Sequence, residues 1–206
     1  MQSKQQADPA LAPEFVPGNY FQTLNLESIF PRSAPLEVDL GCGNGSFLVA
    51  LAKRNPERNF LGFERLFGRV RSATRKIAHE NLRNARLLRI ESTYAVAYLL
   101  PSNSVSVFYL LFPDPWPKRR HQRRRIVTEE FLETIHCALA ANGSLVIATD
   151  EREYFEEIQQ RSGKMKKFVE RPIGDFVLPA TTFEKHFLER GREIHRLVLR
   201  KVSPVR

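Results

Sequence analysis

Three glycines lie close together after the first strand-like run of this 206-residue chain, in the segment DLGCGNG at residues 39–45. They are Gly41, Gly43 and Gly45. Glycines at a strand-to-helix junction permit a tight turn, let a ligand approach the backbone and expose the first amides of the helix. Asp39 precedes the loop, and Glu64 ends the next strand-like run, where it can bond ribose hydroxyls. The pattern predicts a site for a nucleotide-like cofactor.

The glycine spacing bears on which cofactor that is. A dinucleotide fingerprint has the pattern G-x-G-x-x-G, whereas here the third glycine comes one residue earlier and Ser46 follows it. The resulting G-x-G-x-G, preceded by an acid, resembles the S-adenosylmethionine motif of class I methyltransferases. Glu64 fits either cofactor and does not distinguish them. A glycine-rich turn that binds no ligand is the structural alternative.

A proline-rich segment, FPDPWPK at residues 112–118, follows the fourth strand-like run. Pro113 and Pro115 fix their own φ angles and restrict the residues before them, so they hold Asp114 in a stiff, extended backbone. A rigid carboxylate can bond the edge of a base, and it can stabilise positive charge that develops on a purine ring. Trp116, the only tryptophan, can stack on a nucleobase or pack under the loop.

A basic run, KRRHQRRR at residues 118–125, supplies six of the net nine positive charges of the chain. The whole sequence has 32 Lys and Arg against 23 Asp and Glu, so the rest of the chain is close to balanced. A localised cationic patch is typical of polyanion binding, because each cation placed on a phosphate releases a condensed counterion. A solvated surface loop, a nuclear-localisation run and a lipid-binding run are the alternatives.

Strand-like and helical segments alternate along the chain, which predicts a parallel α/β sheet. The predicted strands are LEVDL, NFLGFE, ARLLRI, VSVFYLLF and SLVIATD, and the predicted helices are SFLVALAKR, LFGRVRSATRKIAHENL and a segment capped by Thr128 that ends at the stop Asn142–Gly143. Near the end, KKFVE and EIHRLVLRK are strand-like, with no helix-length element predicted between them. They predict an antiparallel pair at one edge.

Length and composition favour one domain at residues 21–206, preceded by a loose N-terminal tail at residues 1–20. Cys42 and Cys137 form neither a disulfide framework nor a zinc pattern, which indicates a reducing cytoplasm and no metal. No apolar run approaches the roughly 20 residues of a membrane span, and the opening residues lack the layout of a signal peptide. We therefore expect a cytoplasmic protein with no membrane partner.

The segment FPDPWPKRRHQRRR, with DLGCGNG upstream and TTFEKHF near the end, resembles the bacterial tRNA (guanine-N7-)-methyltransferase family. The resemblance extends from about Phe15 to Val202. It implies a Rossmann-like class I methyltransferase fold, with a mostly parallel sheet and an antiparallel edge strand. It further implies methyl transfer from S-adenosyl-L-methionine to N7 of a guanine in tRNA, at position 46 in the variable loop. We expect a monomer or a weak homodimer.

The resemblance also implies the residues of the cofactor site, which are Asp39, Gly41, Gly43, Gly45, Glu64, Glu91 and Asp114. Asp114 is in addition the candidate catalytic residue. The family usually has Asp where this chain has Glu91. The contact to the adenine side of the cofactor is therefore made by the longer arm of Glu91 or falls to Ser92.

Substrate contacts are implied for Lys118, Asp150, Thr181, Thr182, Phe183 and Glu184. Asp150 can select guanine, or it can cap the helix that begins near Tyr154. We predict that the basic run contacts RNA phosphates through Arg119, Arg120, His121, Arg123, Arg124 and Arg125.

Guanine N7 has a lone pair and no proton, so its attack on a sulfonium methyl needs no general base, and positioning should dominate catalysis. Two other classes of protein compete with this interpretation. A nicotinamide-dependent oxidoreductase would share the sheet and Glu64 but predicts glycine at position 46 and gives the basic run no role. A non-catalytic RNA-binding module would need no acids around a glycine loop.

Overall fold

One sheet of seven strands runs through the computed structural model, which describes residues 12–176 and 178–202. The strands are β1 (Leu36–Leu40), β2 (Asn59–Glu64), β3 (Ala85–Arg89), β4 (Val105–Leu111), β5 (Leu139–Thr149), β6 (Phe168–Arg171) and β7 (His195–Lys201). Their order across the sheet is β3-β2-β1-β4-β5-β7-β6. The order reverses between β1 and β4, and the carboxyl edge of an open α/β sheet at such a point is where ligands bind.

Six α-helices connect the strands within the described ranges: α1 (Ser46–Arg54), α2 (Phe67–His79), α3 (Ser92–Tyr94), α4 (Glu129–Ala138), α5 (Arg152–Lys164) and α6 (Thr182–Glu189). A π-helical turn, Ala95–Leu99, continues α3. Short 3-10 turns form at Leu26–Ser28, Arg119–Arg124 and Ile173–Asp175. The helices that separate the parallel strands give the predicted α/β architecture.

Strands β1 to β5 pair in parallel, whereas β7 pairs antiparallel with both β5 and β6. The predicted antiparallel edge is therefore confirmed. A helix that the sequence did not predict, α6, lies between β6 and β7. Its N-terminus is capped by the Thr181 hydroxyl, which accepts a hydrogen bond from the Glu184 amide at 2.9 Å.

Each face of the sheet carries its own hydrophobic cluster. Because side chains alternate along a strand, Val38 and Leu40 of β1 pack in the cluster that contains α4 and α5 residues. The intervening positions of β1 are Glu37 and Asp39, two buried carboxylates on the face that α1 and α2 cover. Burial of two acids on one strand is unusual, so each requires an explanation in terms of partners.

The start of β5 differs from the prediction. The strand begins at Leu139 rather than at residue 144, and Asn142 and Gly143 lie inside it instead of forming a stop after α4. The pairing with β4 shifts register here, and Asn142 has a φ of +60°. A bulge in the strand accommodates Asn142 and Gly143, the residues from which the sequence predicted a stop.

Part of the predicted tail at residues 1–20 pairs with the sheet. The Leu87 amide donates to the Pro13 carbonyl at 2.7 Å, and the Phe15 amide donates to the Leu87 carbonyl at 2.8 Å. The reason is that β3 is an edge strand, whose free backbone groups accept a further segment. Residues 1–11 of the predicted tail and residues 203–206 of the predicted domain lie outside the described residues.

Gly45 is required by packing as well as by backbone conformation, which leads to a first prediction. Its φ is +73°, and a Cβ atom at this position would lie 2.5 Å from the Cβ of Ala73 on α2. Gly45→Ala should lower the free energy of unfolding by about 2–4 kcal/mol, measured by urea denaturation. In an Ala73→Gly background the same change should cost at least about 1 kcal/mol less, because the steric part is relieved. Equal costs in the two backgrounds would contradict the packing explanation.

Candidate active site

The glycine loop between β1 and α1 is fixed to the end of β2 by one carboxylate. The Gly43 amide donates to Glu64 Oε2 at 3.1 Å, and the Leu66 amide donates to Glu64 Oε1 at 2.8 Å. Arg69 Nη1 lies 3.8 Å from Glu64 Oε2. Glu64 is buried, and each of its oxygens has a second lone pair available to a ligand. The predicted acid at the end of the second strand is thus part of the loop's own structure.

The two buried carboxylates of β1 have different surroundings. Glu37 accepts from the Tyr109 hydroxyl at 2.7 Å and from Arg58 Nη1 at 2.8 Å. Asp39 Oδ2 is buried and has no hydrogen-bond partner among the described residues. Burial, and secondly the charge of Glu64, raises the pKa of Asp39 to about 7. An orphaned carboxylate of this kind is suited to a positively charged or hydrogen-bonding ligand.

Two adjoining cavities lie at the point where the strand order reverses. The larger has a volume of about 1050 Å³ and the smaller about 140 Å³, and Gly41, Arg69, Leu111 and Phe112 line both. The smaller cavity brings together the predicted residues Asp39, Gly43, Thr181, Thr182 and Phe183. The larger brings together Glu64, Glu91, Ser92, Asp114, Trp116, Arg124 and Arg125. Gly45 lines neither cavity, in agreement with its packing role.

These residues fit S-adenosylmethionine, which combines a cationic amino-acid end with a ribose. The uncompensated carboxylate of Asp39 suits the cation, and the free lone pairs of Glu64 suit ribose hydroxyls. Gly41 and Gly43 have φ values of +74° and +55°, and a Cβ at Gly41 would meet nothing within 4 Å, so the backbone there is open to a ligand. The described part of the chain contains no cluster of ligands for a metal ion.

Glu91 has a structural role that the sequence did not reveal. It is the N-cap of α3, where it accepts hydrogen bonds from the Thr93 amide at 3.0 Å, the Tyr94 amide at 2.9 Å and the Thr93 hydroxyl. Ser92 beside it is buried and lines the same cavity. Three capping hydrogen bonds leave Glu91 one free lone pair, on Oε1, so both Glu91 and Ser92 remain candidates for the contact to the adenine side.

The proline-rich loop has strained residues at both ends. Phe112 and Trp116 have φ values of +54° and +42°, and each precedes a proline. This conformation is unfavourable for a bulky residue, so the surrounding contacts must hold it. Trp116 is half-buried, with the guanidinium of Arg124 4.9 Å from its ring and His121 edge-on at 5.9 Å. Asp114, between the strained residues, is exposed and faces the larger cavity.

Most of the basic run forms the 3-10 turn Arg119–Arg124 beside that loop. Its exposed cations are Lys118, Arg119, Arg120, Arg123 and Arg124. Gln122 ties the turn to α5 through a hydrogen bond to Glu153 Oε1 at 2.7 Å. Of these cations, Arg124 lines the larger cavity, and the turn that carries it is fixed to the body of the protein.

Arg125 is a correction to the predicted phosphate contacts. Its side chain is 3% exposed, and it forms ion pairs with Glu157 and Glu153. Its Nε atom donates to the Pro115 carbonyl at 2.8 Å. Although Arg125 lines the larger cavity, its guanidinium is buried and all three of its nitrogens have acceptors inside the protein, so it would have to break these contacts to bind a phosphate.

The other predicted substrate residues divide into two groups. Thr182 and Phe183 line the smaller cavity beside the capping Thr181. Asp150 and Glu184 line neither cavity, and they form ion pairs with Arg192 and Arg196 respectively. The alternative role of Asp150 as a helix cap is wrong, because the N-cap of α5 is Glu151. Lys118 likewise lines neither cavity and lies on the exposed surface.

Sequence reasoning missed three arginines: Arg69, which lines both cavities, and Arg192 and Arg196, which bind the predicted substrate residues Asp150 and Glu184. Arg69 follows Glu64 by five residues at the start of α2, and this proximity to the end of β2 was an available signal. No local signal marked Arg192 and Arg196, because their partners are distant in the chain. The guanidinium of Arg192 also lies 5.6 Å from the centre of the Phe187 ring on α6, so it links α6 to the end of β5.

The sheet order and the acid-flanked glycine loop define the class I methyltransferase fold. Solved structures agree: a 16S rRNA methyltransferase is 14% identical with a TM-score of 0.61, covering 89% of this chain and 95% of that one. A SAM-dependent methyltransferase from Aquifex aeolicus is 16% identical with a TM-score of 0.57, covering 86% of this chain and 87% of that one. The predicted fold is confirmed.

Sequence relatives specify the family. A family model described as "Putative methyltransferase" matches residues 33–197. The tRNA (guanine-N(7)-)-methyltransferase of Leifsonia xyli subsp. xyli is 37% identical over 93% of this chain and 86% of its own length. Its namesake from Thermotoga maritima is 36% identical over 87% of this chain, which spans 58% of that relative's length.

The chain belongs to the tRNA (guanine-N(7)-)-methyltransferase family, and the predicted family is confirmed. The predicted enzyme class and the predicted cofactor, S-adenosylmethionine, are those of this family. No helix in the described ranges is long and apolar enough to cross a membrane.

The orphaned carboxylate of β1 generates the second prediction. Because the pKa of Asp39 is about 7 when folded and 3.8 when unfolded, folded Asp39 retains a proton that the unfolded chain releases. Stability without cofactor should therefore fall as the pH rises through this window and level off above pH 7. Asp39→Asn should remove that loss and raise the free energy of unfolding at pH 8 by about 1–3 kcal/mol, measured by urea denaturation.

The same variant should bind the cofactor about tenfold or more weakly by calorimetry, since it no longer offers a charged partner. Glu37→Gln is the matched control: it breaks a satisfied buried pair and should lower stability at pH 8. A destabilised Asp39→Asn with unchanged cofactor affinity would remove Asp39 from the site.

Proposed function

We propose that this chain transfers a methyl group from S-adenosyl-L-methionine to N7 of a guanine in tRNA, at position 46 in the variable loop. The observation that carries the proposal is the adjacency of two elements at the switch point: an acid-flanked glycine loop and the Asp114 loop with its exposed cations. We further propose that it acts in the cytoplasm as a monomer or weak homodimer.

The cofactor supplies an electrophilic methyl group when bound. In the proposed site, Asp39 binds the cationic amino-acid end, and Glu64 accepts hydrogen bonds from ribose hydroxyls while it continues to hold the Gly43 amide. Ser92, with Glu91 as the cap beside it, lies on the adenine side. Because Glu64 also fixes the loop, it positions the cofactor rather than only contacting it.

Asp114 is the proposed catalytic residue. Guanine N7 needs no deprotonation, so the chain's task is to hold the base and stabilise the positive charge that passes to its ring. An exposed carboxylate on a proline-fixed loop at the cavity has the sign and rigidity for this. It can also accept hydrogen bonds from guanine N1 and N2, which adenine cannot offer in the same way.

We propose that Thr181 to Glu184 and Asp150 contact the substrate nucleotide at the α6 side of the cavity, and that Lys118 contacts it from the basic run. Thr182 and Phe183 are already exposed there. Asp150 and Glu184 contact it only if Arg192 and Arg196 share or release them on binding. The arginines then become available to the negative backbone of the RNA, so that charge stays balanced as partners exchange.

The proposal is tested by incubating the protein with methyl-labelled cofactor and unmodified tRNA transcript, followed by nucleoside analysis. 7-Methylguanosine should form, and a transcript with adenine at position 46 should yield none. A label at another guanine would overturn the proposed position only. Binding of NAD in place of S-adenosylmethionine, with no methyl transfer, would favour the oxidoreductase.

Asp114 provides the third prediction. Asp114→Asn keeps size and most hydrogen-bonding capacity but loses the charge, so single-turnover methylation at saturating cofactor and tRNA should slow by about ten- to a thousandfold. The melting temperature should remain near that of the unaltered protein. Wild-type rates together with a lower melting temperature would assign Asp114 a bracing role in the loop instead.

The exposed cations provide the fourth prediction. Replacing Arg119, Arg120 and Arg123 with Gln should weaken tRNA binding and reduce the slope of log K against log salt by about 0.7–0.9 for each phosphate that is no longer neutralised. Filter binding over a salt series measures this slope. Cofactor affinity should not change, since these side chains face solvent. An unaltered slope would show that the turn is merely a solvated surface.

A further inference from the structure

We propose that Arg125 is a positioning residue: it fastens the Asp114 loop to α5 and does not contact RNA. The inference follows from the side-chain contacts of Arg125 together with the strained backbone of the loop. Its effect on methyl transfer rests on the proposed function of Asp114, whereas its effect on the loop does not.

Arg125 uses its whole guanidinium group inside the protein. Nε donates to the Pro115 carbonyl at 2.8 Å, Nη1 binds Glu157, and Nη2 lies 3.3 Å from Glu153 Oε1. The group also lies 4.8 Å from the centre of the Tyr154 ring. Lysine could not replace these contacts, because a single ammonium lacks the planar fork and the face that stacks on an aromatic ring.

The partners of Arg125 share one face of α5. Glu157 lies four residues after Glu153 and three after Tyr154, and Arg161 lies four residues further on. Tyr154 accepts from the Val127 amide at 3.3 Å, and Arg161 donates to the Val127 carbonyl at 3.0 Å. This face therefore holds the segment between β4 and α4 at two places, and Arg125 makes the link nearest Asp114.

The link matters because the loop cannot hold its shape by local preference. Phe112 and Trp116 adopt positive φ values before prolines, a state that persists only when surrounding contacts over-determine it. Pro115 lies between Asp114 and Trp116, so a bond to its carbonyl fixes the Pro115–Trp116 peptide unit, one residue beyond the carboxylate-bearing residue. Loss of this bond should let the loop relax and displace Asp114 and Trp116 together.

Charge separates Arg125 from its neighbours. Its guanidinium is neutralised by two carboxylates and is 3% exposed, whereas Arg123 is exposed on the same segment. Only the exposed cation can exchange counterions for a phosphate. The two arginines thus form a matched pair, alike in sequence and different in environment.

The experiment compares Arg125→Gln with Arg123→Gln. Trp116 is the single tryptophan, so quenching of its fluorescence by acrylamide reports on this loop alone. Arg125→Gln should increase quenching, slow single-turnover methylation at saturating substrates by about ten- to a hundredfold, and leave the salt slope of tRNA binding unchanged. Arg123→Gln should reduce the slope by about 0.7–0.9 and leave quenching unchanged. Arg125→Lys should fall between the unaltered protein and Arg125→Gln in quenching and rate.

A reduced salt slope in Arg125→Gln with unchanged quenching would overturn the proposal and restore Arg125 as a phosphate contact. If Arg125→Gln does not fold, Glu157→Gln tests the same link, because it weakens the hold on Arg125 while leaving the cation in place. Increased quenching with a slower rate supports the proposal; unaltered values of both refute it. If the unaltered protein methylates no tRNA, the proposed function fails, but the quenching arm still decides the positioning role.

Discussion

Strands β2 and β4 both pair with β1, one on each side of it. The segments that follow these strands therefore turn away from each other at the carboxyl end of β1. This reversal of strand order opens a crevice at the carboxyl edge of the sheet. A ligand can bind there without breaking the hydrogen bonds between strands. The glycine loop, the proline loop and α6 all border it. The site exists because the strand order places these three elements at one edge.

Within that crevice, stability is reduced where binding is needed. Glu37 and Asp39 are equally buried on the same face of β1, yet only Glu37 has a hydroxyl and a guanidinium as partners. Asp39 is left with a raised pKa and an orphaned oxygen. A sequence optimised only for folding would pair or replace such a group, which supports the proposal that Asp39 binds the cofactor.

The basic run illustrates how one segment divides between two physical roles. Its exposed arginines are hydrated and accessible to a polyanion, whereas Arg125 is buried and fastens the segment to α5. In the proposed function the two roles depend on each other, since exposed cations can position RNA only if the loop beside them stays in place. Thr181 likewise has two roles, because its hydroxyl caps α6 and the residue also lines the smaller cavity.

The sequence by itself determined the strands, most helices, the antiparallel edge and the family, and it placed acids and glycines near the two cavities. These follow from alternation, helical spacing and motifs, which are local and survive in one dimension. It missed α6, although Thr181 and Glu184 have the spacing of a capping pair, because the segment was interpreted only as a substrate motif. Only the tertiary structure decided which charges are already satisfied. Arg125 meets Glu157 across 32 residues and Asp150 meets Arg192 across 42, and burial and pairing depend on such distant approaches, which neighbouring residue types do not encode.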